Sequence, residues 1–239
     1  LQEPVFLRGA RAITIRGQGA TTIVTAAGSA FVVETGMALC IEKLSVLSAG
    51  LESAIRIQTA LGVTLRELIV FAYDGIRDRR SAAVALSGLC AGITFRDNLF
   101  VAPDGIRTET ANEGGPAFAL LGPLAIEHNI LACQRNGIVF DGSVGHLWDS
   151  RIGDNQFTDC PSNGIRVLGL ATAGASLRVE GNNLNLTGHG IVCGTGNAWI
   201  DRNRVHGTGD TPHVDGNDGI ALVPGLDRAG ATQVHVLAN

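Results

Sequence analysis

An asparagine recurs in a fixed apolar frame along this chain, and that repeat restricts the folds available to it. The frame places an aliphatic or aromatic residue three positions before the asparagine and another two positions after it. It occurs five times, with spacings of 31, 26, 27 and 21 residues, at Asn98, Asn129, Asn155, Asn182 and Asn203. A repeat of this length indicates one supersecondary unit that stacks on copies of itself.

A second frame accompanies the asparagines and consists of a small residue, an apolar residue, any residue and another apolar residue. Because its apolar positions alternate with period two, it predicts short strands with one buried face. The asparagine frame also continues upstream with Leu44 and Leu68 in place of asparagine, which gives eight coils in all. The second frame begins at Ala30, Ala54, Ala83, Ala117, Gly137, Gly164, Gly190 and Gly219.

These units exclude two other repeat folds. A propeller blade needs about 40 residues and four strands, which these units do not contain. A leucine-rich repeat would place a helix in each unit, and no segment with a 3.6-residue period is long enough for one. The sequence therefore predicts an all-β fold, a single right-handed parallel β-helix of eight to nine coils spanning residues 1–239. Each inward asparagine should bond the turn of its own coil and the next asparagine, forming a ladder. Asparagine also tolerates the left-handed conformation that such corners require.

The opening segment supports the same fold by resemblance. Ile13-Thr14-Ile15-Arg16-Gly17-Gln18-Gly19, followed by Thr22-Ile23-Val24, resembles the first coils of the right-handed parallel β-helix superfamily, the pectate-lyase-like fold. The resemblance covers essentially the whole chain. It implies an extracellular or cell-surface protein and polysaccharide as a ligand. It does not specify the activity, because the fold carries lyases, hydrolases, epimerases, phage spikes and adhesins.

Composition excludes several partners. The net charge of −4 argues against a nucleic-acid surface, and no apolar run is long enough for membrane insertion. The five cysteines are odd in number and contain no C-x-x-C pair, so we expect them to be reduced and mostly buried. The frame opens again at Val236-x-x-Asn239. This predicts a fragment of a longer chain or array, with a partner chain or domain at that end.

Three connections between an asparagine-type position and the following strand are longer than the rest: 69–82, 99–116 and 204–218. We expect them to leave one corner of the helix and form a rim. The first two share the motif Asp-Gly-Ile-Arg. Its charged residues could bind a ligand, and the alternative explanation is that they form surface ion pairs. The predicted ligand-binding residues are Tyr73, Asp74, Arg77, Asp104, Arg107 and Glu109.

The third connection holds the best catalytic candidates, His206, Asp210, His213 and Asp215. Imidazole and carboxylate groups together can transfer protons or hold a metal. Asp215 and Asp218 are the candidate metal ligands, with calcium as the candidate cofactor. A solvated, glycine-rich turn is the alternative explanation for the same residues.

Two local motifs resemble enzymes of this fold. Gly188-His189-Gly190 resembles the Gly-His-Gly of polygalacturonases, but Asn163 and Asn136 stand where that family needs aspartates. His189 is better explained as a turn residue. The segment 210–215 is loosely similar to the Asp-Pro-His-Asp/Glu motif of mannuronan C5-epimerases, with Thr211 and Val214 breaking the register.

Two functional hypotheses follow. The first is a non-catalytic β-helix segment that acts as an interaction or carbohydrate-recognition module in a larger assembly. The second is a carbohydrate-active enzyme, a uronate polysaccharide lyase or C5-epimerase, using the connections 69–82, 99–116 and 204–218. The sequence leaves both open.

Overall fold

The computed structural model describes residues 3–73, 81–109, 119–140, 144–169, 176–185, 188–206, 219–224 and 234–239. These residues form β-strands and no helix, so none of them contributes a helix that could span a membrane. The first strands are β1 (Val5–Arg8), β2 (Thr14–Arg16), β3 (Ile23–Ala26), β4 (Phe31–Glu34), β5 (Met37–Glu42), β6 (Ser45–Ala49), β7 (Ile55–Arg66), β8 (Ile69–Tyr73), β9 (Ala82–Ala91), β10 (Ile93–Arg96), β11 (Leu99–Thr108) and β12 (Ala119–Leu121). They are followed by β13 (Leu124–Glu127), β14 (Ile130–Phe140), β15 (Val144–Leu147), β16 (Ser150–Gly153), β17 (Gln156–Thr158), β18 (Asn163–Leu168), β19 (Leu177–Glu180), β20 (Asn183–Asn185), β21 (His189–Gly194), β22 (Ala198–Asp201), β23 (Arg204–His206), β24 (Ile220–Leu222) and β25 (Val234–Leu237).

The strands stack in three parallel columns, which we name faces A, B and C. Face A contains β2, β5, the second half of β7, β10, β13, β16, β19, β22 and β25. Face B contains β3, β6, β8, the first halves of β11 and β14, β17, β20 and β23. Face C contains β1, β4, the first half of β7, β9, the second halves of β11 and β14, β18, β21 and β24.

This arrangement confirms the predicted all-β parallel β-helix, and the number of coils is close to the predicted eight to nine. The short strands β12 and β15 pair with each other and add a further segment between faces C and A in the central coils. Apolar residues from all three faces fill the interior in continuous rows. Examples are the fully buried Val46, Val70, Phe100, Leu131 and Phe157 on face B.

The asparagine ladder runs along the corner between faces A and B. From Asn98 onward each Nδ2 donates to the Oδ1 of the next asparagine, over 2.9–3.0 Å, through Asn129, Asn155, Asn182, Asn203 and Asn239. Each Nδ2 also donates to a carbonyl of the preceding coil, as from Asn155 to Ile126 at 2.8 Å. The predicted bond to the asparagine's own turn is also present at Asn129 and Asn182, whose Nδ2 atoms donate to Glu127 O and Glu180 O at 3.0 and 3.2 Å. The bond to the preceding coil was not predicted.

The left-handed backbone at this corner belongs to the residue before the asparagine. Asp97, His128 and Asp154 have φ values of 57°, 56° and 56°. Asparagine tolerates this conformation, but at these three corners it is the preceding residue that adopts it. The buried asparagine instead satisfies the backbone of the turn, while the exposed residue before it makes the turn.

One strand assignment was also wrong. Residues 104–108 of β11 pair with β9 and with Asn136–Val139 of β14, so they form the face C strand of their coil. The frame that starts at Ala117 was expected to hold that place, but Ala119–Leu121 forms β12 instead. The first part of connection 99–116 is therefore a strand that turns the corner from face B to face C, and not a loop leaving that corner.

A row of ion pairs runs along the outer surface of face A. Glu42 lies between Arg16 and Arg66 of the neighbouring coils and accepts a hydrogen bond from each Nε. These two bonds, with Arg66 contributing most, lower the pKa of Glu42 from 4.5 to about 2. The ion pairs follow the same strand stacking as the interior rows and tie adjacent coils together from outside.

Further along the same row, a glycine makes room for an arginine. A Cβ at Gly153 would lie 2.5 Å from Cζ of Arg151. The guanidinium therefore occupies the space over Gly153 and bonds Glu127 on the preceding coil and Glu180 on the following coil, at 2.5 and 2.6 Å. The hydrogen bond to Glu180 and those to Asp154 and Glu127 raise the pKa of Arg151.

The cysteines are all free, and all except Cys40 are buried. Burial raises the pKa of Cys90 to about 11 and that of Cys193 above its usual value. They contribute to the core as small apolar side chains, as the sequence predicts.

Candidate functional site

The outer surface of face B is the most unusual surface of the described structure. Strand register places outward residues in two rows that run along the solenoid axis. The first row is Ile23, Ser45, Ile69, Leu99, Ile130, Gln156, Asn183 and Arg204, and the second is Thr25, Leu47, Phe71, Val101, Ala132, Thr158, Asn185 and His206.

The first five coils of face B expose large apolar side chains. Ile23, Leu47, Phe71 and Ile130 are 57%, 38%, 41% and 43% exposed. Tyr73 extends the apolar area toward face C and is 56% exposed. A solvated sheet face normally alternates with polar residues, so an apolar outer surface on a flat sheet indicates contact with something other than water.

No charged residue lies on the face B strands between β3 and β20. The character of the surface changes at the sixth coil, where Gln156, Thr158, Asn183 and Asn185 replace the apolar residues. Charge appears at the last strand of face B, in Arg204 and His206. Face B is thus apolar in its first coils and neutral but polar in the next ones.

A second polar row occupies the corner between faces B and C. Asp104, Asn136, Asn163 and His189 are in register on successive coils. Asn163 Nδ2 donates to Asn136 Oδ1 at 2.7 Å, and Asn136 Nδ2 donates to Asp104 Oδ1 at 2.8 Å. His189 fills the same slot as Asn136 and Asn163, as expected, but it is the first residue of strand β21 rather than part of a turn. The carboxylate in this row is that of Asp104, which lies three coils, or about 14 Å, away from His189.

The predicted ligand residues on face C are engaged with neighbouring side chains. Asp104 is fully buried and forms a two-point ion pair with Arg135, whose Nε lies 2.8 Å from Oδ1. Glu109 is 8% exposed and pairs with Arg56 through two bonds of 3.0 and 3.1 Å. Arg107 is partly exposed on β11, the strand that also contains Asp104. Ligand binding by these residues stays a prediction.

Tyr73 and His206 are both exposed on face B, but they lie five coils apart, or about 24 Å. Asp74, Arg77, Asp210, His213, Asp215 and Asp218 lie outside the described residues. Within the described residues, no group of three or more His, Cys, Asp and Glu side chains is arranged to hold a metal ion. The structure therefore does not bring the described members of the predicted site into one place.

A groove of about 450 Å³ opens beside the first coils of face C. Its lining includes Phe6, Glu34, Glu52 and Arg56. Protein groups already bind these charges: Arg8 Nε lies 2.6 Å from Glu34, Ser29 Oγ donates to Glu52 at 2.9 Å, and Arg56 pairs with Glu109. Three of the charged groups that line the groove are thus paired with protein groups, and Glu3 adds a further carboxylate to the lining.

Sequence reasoning missed face B, although the sequence contains its signal. Residues 99–102 and 130–133 are continuous apolar runs, Leu99-Phe100-Val101-Ala102 and Ile130-Leu131-Ala132-Cys133, instead of alternating ones. Because only every second residue points inward, the others in such a run must be apolar and outward.

Comparisons with protein-family models, with curated proteins and with solved structures each returned no match. The fold assignment accordingly depends on the strand pairings of this chain alone.

Proposed function

We propose that this protein is a non-catalytic interaction module that docks onto another protein surface through face B. The observation that carries the proposal is the uncharged outer surface of face B, with exposed Leu47, Phe71 and Ile130 in its first coils. The inferred membership of the pectate-lyase-like superfamily agrees with such a role, since that fold includes adhesins as well as enzymes.

The size of the apolar area supports an interface. Five strands at about 4.8 Å spacing and four residues at about 3.3 Å give a patch of roughly 300 Å². Patches of about 300–600 Å² are the largest on typical monomers and are often functional. Depletion of charge and enrichment in aromatic side chains are the features that mark the centre of protein interfaces.

The enzyme alternative receives less support. A uronate lyase or epimerase needs a base and a group that neutralises the carboxylate within reach of one sugar. Tyr73 and His206 are about 24 Å apart, and Asp104 and Glu109 are ion-paired on a different face. The interaction module is therefore the function that the described geometry favours.

A photo-crosslinking amino acid tests the proposal without knowledge of the partner. The test position is Phe71, and the matched control is Trp199, an aromatic residue of face A that is 43% exposed and stacks on His235 with ring centroids 4.7 Å apart. Illumination in the producing cells should give a discrete protein adduct from position 71 and none from position 199.

The adduct should also disappear when Leu47→Glu is added, because a charge beside the crosslinker would be buried without a partner. Equal adducts from both positions, or none from position 71, would overturn the proposal.

A further inference from the structure

We infer that the partner of face B is a second copy of this chain, related by a two-fold axis parallel to the solenoid axis. This inference rests on the proposed function, since it names the occupant of the same surface. Three properties of face B support it: its neutrality, its strand spacing and the change in its polarity along the axis.

Neutrality limits what can cover the face. A charged group placed against Leu47, Phe71 or Ile130 would lose its hydration without gaining a counter-charge. The partner surface must therefore be flat and uncharged over the same length. Face B itself has these properties from β3 to β20, whereas face A carries Arg16, Glu42 and other charges along its outer row.

Strand spacing adds a second condition. Outward side chains of face B repeat at about 4.8 Å along the axis, since they belong to adjacent strands. Two sheets that pack face to face interdigitate best when their rows have the same repeat. A second parallel solenoid keeps this repeat in step over every coil, and another copy of this chain supplies it.

The change in polarity decides the orientation. Apart from Thr25 and Ser45, the outward residues of the coils from Ile23 to Ala132 are apolar, and Gln156, Thr158, Asn183 and Asn185 are polar. An axis perpendicular to the solenoid through the middle of the face would bring the apolar coils of one copy over the polar coils of the other, and one centred on the apolar coils would leave the polar coils of both copies uncovered. An axis parallel to the solenoid keeps each coil at the height of its counterpart, so apolar residues meet apolar ones and amides meet amides.

The dimensions of the face predict a weak dimer. The seven uncharged strands of face B, from β3 to β20, at about 4.8 Å and four residues at about 3.3 Å give roughly 440 Å² per copy, or about 900 Å² in total. This is below the 1,200–2,000 Å² of stable complexes, in the range of about 1,200 Å² or less found for transient ones. Association should thus be reversible and depend on protein concentration.

Sedimentation velocity over a concentration series measures this association. The test variant is Leu47→Glu, and the matched control is Leu61→Glu, because both leucines are 38% exposed and only Leu47 lies on face B. The natural chain and Leu61→Glu should shift from monomer to dimer as concentration rises. Leu47→Glu should need at least about tenfold higher concentration, since two copies of the new charge would meet.

Cysteine crosslinking then tests the orientation. In a Cys40→Ser background the remaining native cysteines are buried, and Leu47→Cys or Ala132→Cys adds a single outward thiol on coils three steps apart. A short bis-maleimide should join position 47 to 47 and position 132 to 132. In a mixture of the two variants, a predominant 47-to-132 product would overturn the parallel axis.

The outcomes separate this inference from the proposed function. A chain that stays monomeric at about 500 µM while position 71 still captures a different protein overturns the dimer and leaves the docking role standing. An equal loss of association in Leu47→Glu and Leu61→Glu overturns the role of face B in the dimer. The absence of any adduct and of any dimer overturns both.

Discussion

Faces A and B share one interior and differ outside in their charge, since both expose large apolar side chains, such as Met37 and Trp199 on face A. Both contribute buried aliphatic and aromatic rows, and both meet at the asparagine ladder. On the outside, face A carries an ion pair between most neighbouring coils, such as Arg16–Glu42 and Arg151–Glu180. Face B carries no charge from β3 to β20.

This difference in surface charge distinguishes what the fold requires from what it does not. A solenoid needs inward apolar residues and satisfied turns, and both faces supply these equally. The ion pairs of face A are well solvated by water, whereas the coils of face B that expose Ile23, Phe71 and Ile130 carry no charged group beside them. The outer chemistry of face B therefore answers a requirement other than folding.

The largest expected effect comes from the asparagine ladder, which lies at the corner that the two faces share. Asn155→Ala removes the donor to Ile126 O and to Asn182 Oδ1 and the acceptor of the Asn129 amide. Each buried polar group left without a partner costs about 1–3 kcal/mol, so the free energy of unfolding should fall by about 4 kcal/mol. Denaturant unfolding measures this loss, and the exposed neighbour Asn183→Ala serves as the matched control, expected within about 0.5 kcal/mol.

Hydrogen exchange sharpens the same test. In Asn155→Ala the amides of β16 on face A and β17 on face B should both lose protection, since the side chain connects the turn between them. Loss of protection on one face alone would contradict a role for the asparagine ladder in stabilising both faces.

A smaller effect is confined to face A and depends on pH. The folded pKa of Glu42 lies at about 2, below its usual 4.5, because Arg66 and Arg16 bind the ionised form. A lowered folded pKa contributes stability above the unfolded pKa, and this contribution is lost as pH falls. The stability difference between the natural chain and Glu42→Gln should be constant above pH 4.5 and shrink toward pH 2.

Chemical unfolding across that range measures the difference. The control is Glu67→Gln, whose carboxylate is 47% exposed and lies 3.6 Å from Lys43 Nζ. Such an exposed pair should contribute no more than about 0.5 kcal/mol at any pH. If the stability difference between the natural chain and Glu42→Gln did not change with pH, the bonds from Arg16 and Arg66 would not stabilise the ionised form of Glu42.

The smallest expected effect is the most informative about face B. Leu47→Glu should change the unfolding free energy of the dilute monomer by no more than about 0.5 kcal/mol, because the side chain points outward and is 38% exposed. The fold would then tolerate a charge that the natural chain omits. A loss of about 2 kcal/mol in thermal or chemical unfolding would instead make the neutrality of face B a folding requirement.

The interior of the fold was predictable because it is periodic. Leu44, Leu68 and the asparagines hold the expected places, and the small-residue frames at Ala54, Gly137 and Gly164 begin face C strands. Stacking identical coils forces each inward row to stay apolar, so the pattern is visible without a structure.

The prediction failed where a polar residue interrupts that row. Thr108 is buried at the position that pairs with Leu86, so the segment 105–108 does not fit the apolar frame, whereas the segment 117–120 does. Asp104 was likewise expected on a loop. A carboxylate is normally exposed, and the sequence does not show that Arg135 of the next coil pairs with Asp104 and allows its burial.

The sequence alone determined that coils stack, which residues point inward and where the asparagine ladder runs, because these follow from local periods of two residues and of one coil. Only the tertiary structure decided which outward residues become neighbours. Those neighbours are about one coil apart in sequence and about 4.8 Å apart in space, so the charged rows of face A and the neutral apolar surface of face B exist only after the chain has wound.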